Sequence, residues 1–142
     1  MAEAHAAWAT EPIFADDALA GYCPDLDDWP LSWCYEARDV APGRQIVECF
    51  KPFLCYLLKC RLSRTTLRRH RDNLWLLGGA LIRNLHDAPR LRQRPIIDVV
   101  GQTIDEEGGP LISHGAAAEA QQRSFDATCR KFYRFLADRN SS

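Results

Sequence analysis

The residues best equipped for chemistry lie between Arg61 and Arg71. Arg61, Arg64, Arg68, Arg69 and Arg71, with His70 among them, cluster at one point of the chain. On a helix, Arg64, Arg68 and Arg71 stand at steps of four and three and share a face. Guanidinium forks match phosphate oxygens and guanine edges. Ser63 suits an N-cap, and a helix starting there offers free amides and the positive end of its dipole to an anion. Only Asp72 lies nearby in sequence, so the run has little opposite charge of its own. The anion could be DNA, RNA or an acidic segment of the same chain.

Other candidate chemistry does not assemble. His70-Arg71-Asp72 has the letters of a kinase catalytic loop, but no glycine-rich phosphate loop accompanies it, and 142 residues are too few. Asp105, Glu106 and Glu107 precede Gly108 and Gly109 at the end of an apolar segment. They read as a solvated surface rather than an acid–base pair. The six cysteines contain no Cys-x-x-Cys pair and read as free thiols; a zinc site from Cys23, Cys34 and a histidine is the less favoured alternative. The expectation is a chain that is not an enzyme and needs no metal or cofactor.

Charge is divided sharply along the chain. Residues 1–42 hold nine acidic groups and one basic group, net -8; residues 43–94 hold three acidic and twelve basic, net +9; residues 95–142 are net -2. Such a split bears on partners more than on fold. The first part also carries Trp8, Phe14, Tyr22, Trp29, Trp33 and Tyr35, broken into short pieces by Pro12, Pro24, Pro30 and Pro42. It reads as an acidic, aromatic-rich arm or subdomain over 1–42, with a helical bundle over 43–142. Apolar content of 46% is enough for a core, and no apolar run approaches bilayer length. Met1–Thr10 lack the pattern of a secretory signal, so a cytoplasmic location is expected.

The elements that must position the arginines follow from apolar periodicity. Arg44–Cys60 reads as an amphipathic helix, either kinked by Pro52 or starting close to it. A second helix runs from Arg64 to about His86, with Gly78 and Gly79 inside it, where close approach of another helix could compensate their cost. A third is expected to start near Pro95, with Ile96, Ile97, Val99, Val100 and Ile104 as its buried face; these β-branched residues would also suit a strand, and the lack of a second strand-like run favours the helix. The last covers roughly Gln122–Asp138, with Ala116–Ala120 either adding a turn or staying mobile.

These helices resemble a known family. The run Phe50-Lys51-Pro52-Phe53-Leu54-Cys55-Tyr56-Leu57, followed by Leu62-Ser63-Arg64-Thr65-Thr66-Leu67-Arg68-Arg69-His70, is similar to the start of the core-binding domain of tyrosine recombinases (phage integrases). Ser124–Leu136, with its Phe-Tyr-x-Phe-Leu end, looks like that domain's last helix. The resemblance covers about residues 46–138. It implies a four-helix SAM-like bundle gripping duplex DNA through Arg64, Thr65, Arg68 and Arg69 on one helix and Arg130, Lys131 and Arg134 on another. It does not extend to recombination, because no arginine–lysine–histidine–tyrosine set for strand cleavage can be assembled. The acidic arm and the segment around Gly108–Gln121 are also foreign to the family pattern.

Two functions are expected from this. The first is a non-catalytic nucleic-acid-binding module of mobile-element origin, holding duplex DNA through Arg61, Arg64, Thr65, Arg68, Arg69, Arg71, Arg130, Lys131 and Arg134. The second is a phage or mobile-element inhibitor, anti-CRISPR-like, that meets a protein partner through Asp25, Asp27, Asp28, Trp29 and Trp33. A combined form has the acidic arm folding over the basic helix and gating it.

Overall fold

In the computed structural model, residues 17–112 and 116–141 are described, and among them the fold is all-α, with six helices and no strand. α1 is described over 17–22. It is followed by α2 (Trp29–Trp33), α3 (Val40–Lys59), α4 (Arg64–Asp87), α5 (Ile96–Thr103) and α6 (Ala116–Ser141). Short 3₁₀ turns at Leu26–Asp28, Ala37–Asp39 and Pro89–Gln93 join them. None of these helices is long and apolar enough to cross a membrane.

α3 is the central element. It buries Ile46, Val47, Phe50, Phe53, Leu54 and Leu57 and packs against α2, α4 and α5. It begins at Val40, earlier than Arg44, and runs through Pro52 without interruption. Pro52 removes one backbone bond, and burial of the apolar face on both sides of it offsets that loss. The early start traces to Asp39. Its Oδ2 accepts from the Tyr35 and Glu36 amides at 2.9 and 3.1 Å, fixing the turn that feeds the helix. Its Oδ1 accepts from Arg92 Nη2 at 2.6 Å. Asp39 is fully buried and the Arg92 side chain is 15% exposed.

The boundary expected at residue 42 therefore falls inside α3, and residues 19–33 belong to the same core as the rest. Leu19, Cys23, Leu26, Trp29 and Trp33 are all buried, Trp29 and Trp33 at 1% and 6% exposure. A file of rings runs from Trp29 to Trp33 (5.8 Å between centroids), Phe50 (6.3 Å), Phe132 (5.6 Å) and Phe53 (4.7 Å), linking α2, α3 and α6. Trp8 and Phe14 lie outside the described residues. The six-membered part of the Trp33 indole packs against α4 at Gly78. A β-carbon there would stand 2.0 Å from Trp33 Cζ2, so even a methyl group does not fit. The indole N–H then donates to the Trp75 carbonyl at 2.9 Å.

α5 takes its β-branched run as helix, and Ile104 follows it extended and buried. The acidic turn after it is structural at one residue: Asp105 Oδ1 accepts from the Glu107 and Gly108 amides. Gly108 has φ +135°, and a β-carbon would meet the Asp126 carboxylate at 2.5 Å. α6 starts at Ala116, earlier than Gln122, so the alanine segment is part of the helix.

Candidate nucleic-acid interface

The turn between α3 and α4 sets out the arginines. Cys60 closes α3, Arg61 takes a left-handed conformation at φ 57°, and Ser63 caps α4 by accepting from the Thr66 amide at 3.1 Å. A non-glycine residue in that conformation costs about 1 kcal/mol. Arg61→Gly is therefore expected to raise the melting temperature by roughly 4 °C. The same change should weaken binding of an anionic polymer and lower its salt dependence by about one counterion. Thermal unfolding and binding measured on the one variant check the opposed signs.

Arg61, Arg64, Thr65, Arg68 and Arg69 are exposed, and none of the four arginines makes an ion pair with a described residue. Arg71 differs. Its guanidinium pairs with Asp25 and, at 2.9 Å, with Asp72, and lies 5.6 Å from the centre of the Trp29 ring. Only 20% of its side chain is exposed. Burial works against its charge, but hydrogen bonds with Cys23 and Asp25 more than restore it. For Asp25 too, burial alone would raise the pKa, and the Trp29 indole N–H and Arg71 reverse this and hold it low. Arg71 thus serves the fold. The acidic segment meets the basic helix here, and Tyr22 adds a second tie by donating to the Leu67 carbonyl at 2.5 Å.

The second basic group divides. Lys131 follows Thr128, which bonds His70 and Asn73 of α4, by three residues on α6, and its charge and that of Arg69 add to burial in lowering the His70 pKa. Arg130 instead donates to the Glu107 carbonyl at 3.3 Å, and Arg134 pairs with Glu106 at 3.6 Å. Both are turned toward the acidic 105–108 turn.

The expected protein-contact residues also divide. Asp25 is held by Arg71 and Trp29, while Asp27 and Asp28 are exposed. Trp29 and Trp33 are corrected to core residues, because their rings fill the space between α2, α3 and α4. Other apolar side chains are exposed: Tyr35, Trp75 and Leu111 rim a shallow groove of about 280 Å³, Leu31 is exposed nearby in sequence, and Tyr56 and Ile97, the latter expected to be buried, are exposed elsewhere.

Sequence reasoning missed Trp75, and it named His70 without seeing that the ring is buried. Trp75 continues the Arg64–Arg68–Arg71 stripe by one more step of four, and it is 41% exposed. His70 is buried at the α4–α6 contact with Asn73, Ser124 and Thr128. Spacing gave a signal for Trp75 but none for the burial of His70.

The cysteines are free thiols. Burial pushes the Cys129 thiol up to about 12 and Cys23 up to about 11. Among the described residues no three His, Cys, Asp or Glu side chains converge on a metal site.

No family model, curated protein or solved structure matches the chain.

Proposed function

We propose that the chain is a non-catalytic nucleic-acid-binding module that holds duplex DNA along the first turns of α4. The observation that carries this reading is the set of four exposed arginines, Arg61, Arg64, Arg68 and Arg69, without an acidic partner among the described residues. Thr65 lies within the set, and Lys131 adds a cation from α6. The architecture is compatible with a four-helix SAM-like bundle in α3–α6, carrying an acidic N-terminal segment. With the resemblance to recombinase core-binding domains, this supports a mobile-element origin. Affinity should fall steeply with salt, because phosphate contacts release counterions. Duplex binding measured across a salt series tests it, and an affinity that hardly changes overturns it.

A second reading is favoured by one observation. The Tyr35, Trp75 and Leu111 groove, with Asp27 and Asp28 exposed on the same N-terminal segment as Tyr35, has the aromatic and acidic character of a protein-contact surface. In this reading the chain is an inhibitor that occupies the basic site of a nucleic-acid-handling protein. A stoichiometric protein partner, lost on Trp75→Ala, together with no duplex binding at low salt, would decide for it.

A further inference from the structure

A cavity of about 230 Å³ lies where α1 meets the end of α3 and the start of α4. Tyr22, Leu58 and Leu67 line it, each half-buried, and Ala18 and Gly21 of α1 form an exposed wall. Arg64, Arg68 and Arg71 line it as well, so the three arginines of the helical stripe meet in one hollow. The α1 wall is tied down, because the Tyr22 hydroxyl donates to the Leu67 carbonyl at 2.5 Å. Arg71 already holds Asp25 and Asp72. Arg64 and Arg68 make no ion pair with a described residue and are the cations left to a ligand.

Apolar side chains beside unpaired cations suit a ligand with an apolar body and negative charge attached. A nucleotide has both. Its base can lie against Leu58, Leu67 and the Tyr22 ring, while guanidinium groups stack on the base or donate to its oxygens and ring nitrogens. Arg64 and Arg68 stand one turn apart, about 6 Å along the helix axis, so each can meet one of the two phosphates that flank that base. A lone phosphate would leave the apolar lining unused. The hollow is smaller than the roughly 300–1,000 Å³ of sites for drug-sized molecules, which fits one base and not a pair.

We propose that the hollow between α1 and α4 takes one unpaired base of a DNA strand, with the flanking phosphates on Arg64 and Arg68. This rests on the nucleic-acid reading of the same face. It narrows the ligand from any duplex to one that carries an unpaired nucleotide, such as a single-base bulge. A paired base is stacked on both sides and costs a few kcal/mol to extract, whereas an unpaired base costs least. The acidic segment then has a part in binding, because α1 supplies one wall of the site.

The test is anisotropy with the full chain at fixed salt, comparing a fully paired labelled duplex with the same duplex carrying one bulged thymine. The bulged duplex should bind roughly five- to fiftyfold more tightly. Gly21→Leu narrows the hollow from its α1 wall. A β-carbon at Gly21 would meet nothing within 4 Å, so the fold has room for the change. It should bring the two affinities together, and Ala18→Leu, from the same exposed wall, should do likewise; an unchanged melting temperature verifies that each variant folds. A second measurement is oxidation of the bulged thymine by permanganate. The native chain should protect it, and Gly21→Leu should not. Equal affinity for the two duplexes, with the thymine still reactive, overturns the base site and leaves the nucleic-acid reading standing. A preference for the bulge that survives both filling variants also overturns the base site, since the bulge is then favoured for the bending it allows. Absence of binding to either duplex at low salt overturns both readings.

Discussion

Asp39→Ala should cost about 3–5 kcal/mol, the largest loss of stability expected from a single substitution here. The carboxylate is fully buried and takes three bonds, from Arg92 Nη2 and from the Tyr35 and Glu36 amides. Removing it leaves two amides unpaired at the entry to α3. It also leaves the largely buried Arg92 guanidinium, whose Nε already lacks a partner, without its counter-charge. A loss of this size is a large share of the roughly 5–15 kcal/mol that holds a typical domain together. Denaturant midpoints measure it. Asp39→Ala combined with Arg92→Met should be less damaging than Asp39→Ala alone, since no buried charge is then stranded. A double variant less stable than the single one would sink this account. The pH dependence has a definite sign. Burial alone would raise the Asp39 pKa, but Arg92 and the two amides outweigh it and hold the carboxyl below its ordinary 3.8. The contribution is therefore complete above about pH 4 and is lost as pH falls from there through the folded-state value. Asp39→Ala should lack this part of the acid transition.

Reversing charge at Arg64 and Arg68 together, each to Glu, should reduce duplex affinity by a hundredfold or more at low salt. Two phosphate contacts disappear and two repulsions replace them. The slope of log affinity against log salt should shrink by about two. Both side chains are exposed and pair with no described residue, so melting should change little. This contrast gives the test its force. Arg71, although on the same stripe, is unsuitable, because its ties to Asp25, Asp72 and Trp29 would be lost as well. A doubly reversed chain that folds and still shifts the duplex as the native chain does would remove the basic face from the function.

What could be read from the sequence was what local rules decide. Ser63 as a cap, the span of α4 and the need for a close neighbour at Gly78 all rest on residues within one helix or its first turn. What escaped depends on residues far away. α3 starts early because Asp39 is anchored by Arg92, and Arg71 is neutralised by Asp25, which local inspection of α4 does not reveal. The acidic segment looked like an arm because prolines cut it into pieces shorter than a stable helix. Trp29 and Trp33 are long enough to reach the core from such pieces, and they do. His70 and Asn73 fall on the buried arc of α4, and Ser124 and Thr128 stand four apart on α6. Only the packing of the two helices turns them into one cluster.

The indole of Trp33 stands where the side chain of residue 78 would be. Each position therefore limits what the other can become. A larger residue at 78 is admissible only after the ring at 33 has been lost, and losing the ring first opens a cavity between α2 and α4. Neither order of change passes through an undamaged intermediate. Trp33 and Gly78 should accordingly be inherited as one character in any lineage of this protein, which binds the acidic segment to the basic helix in descent as well as in space.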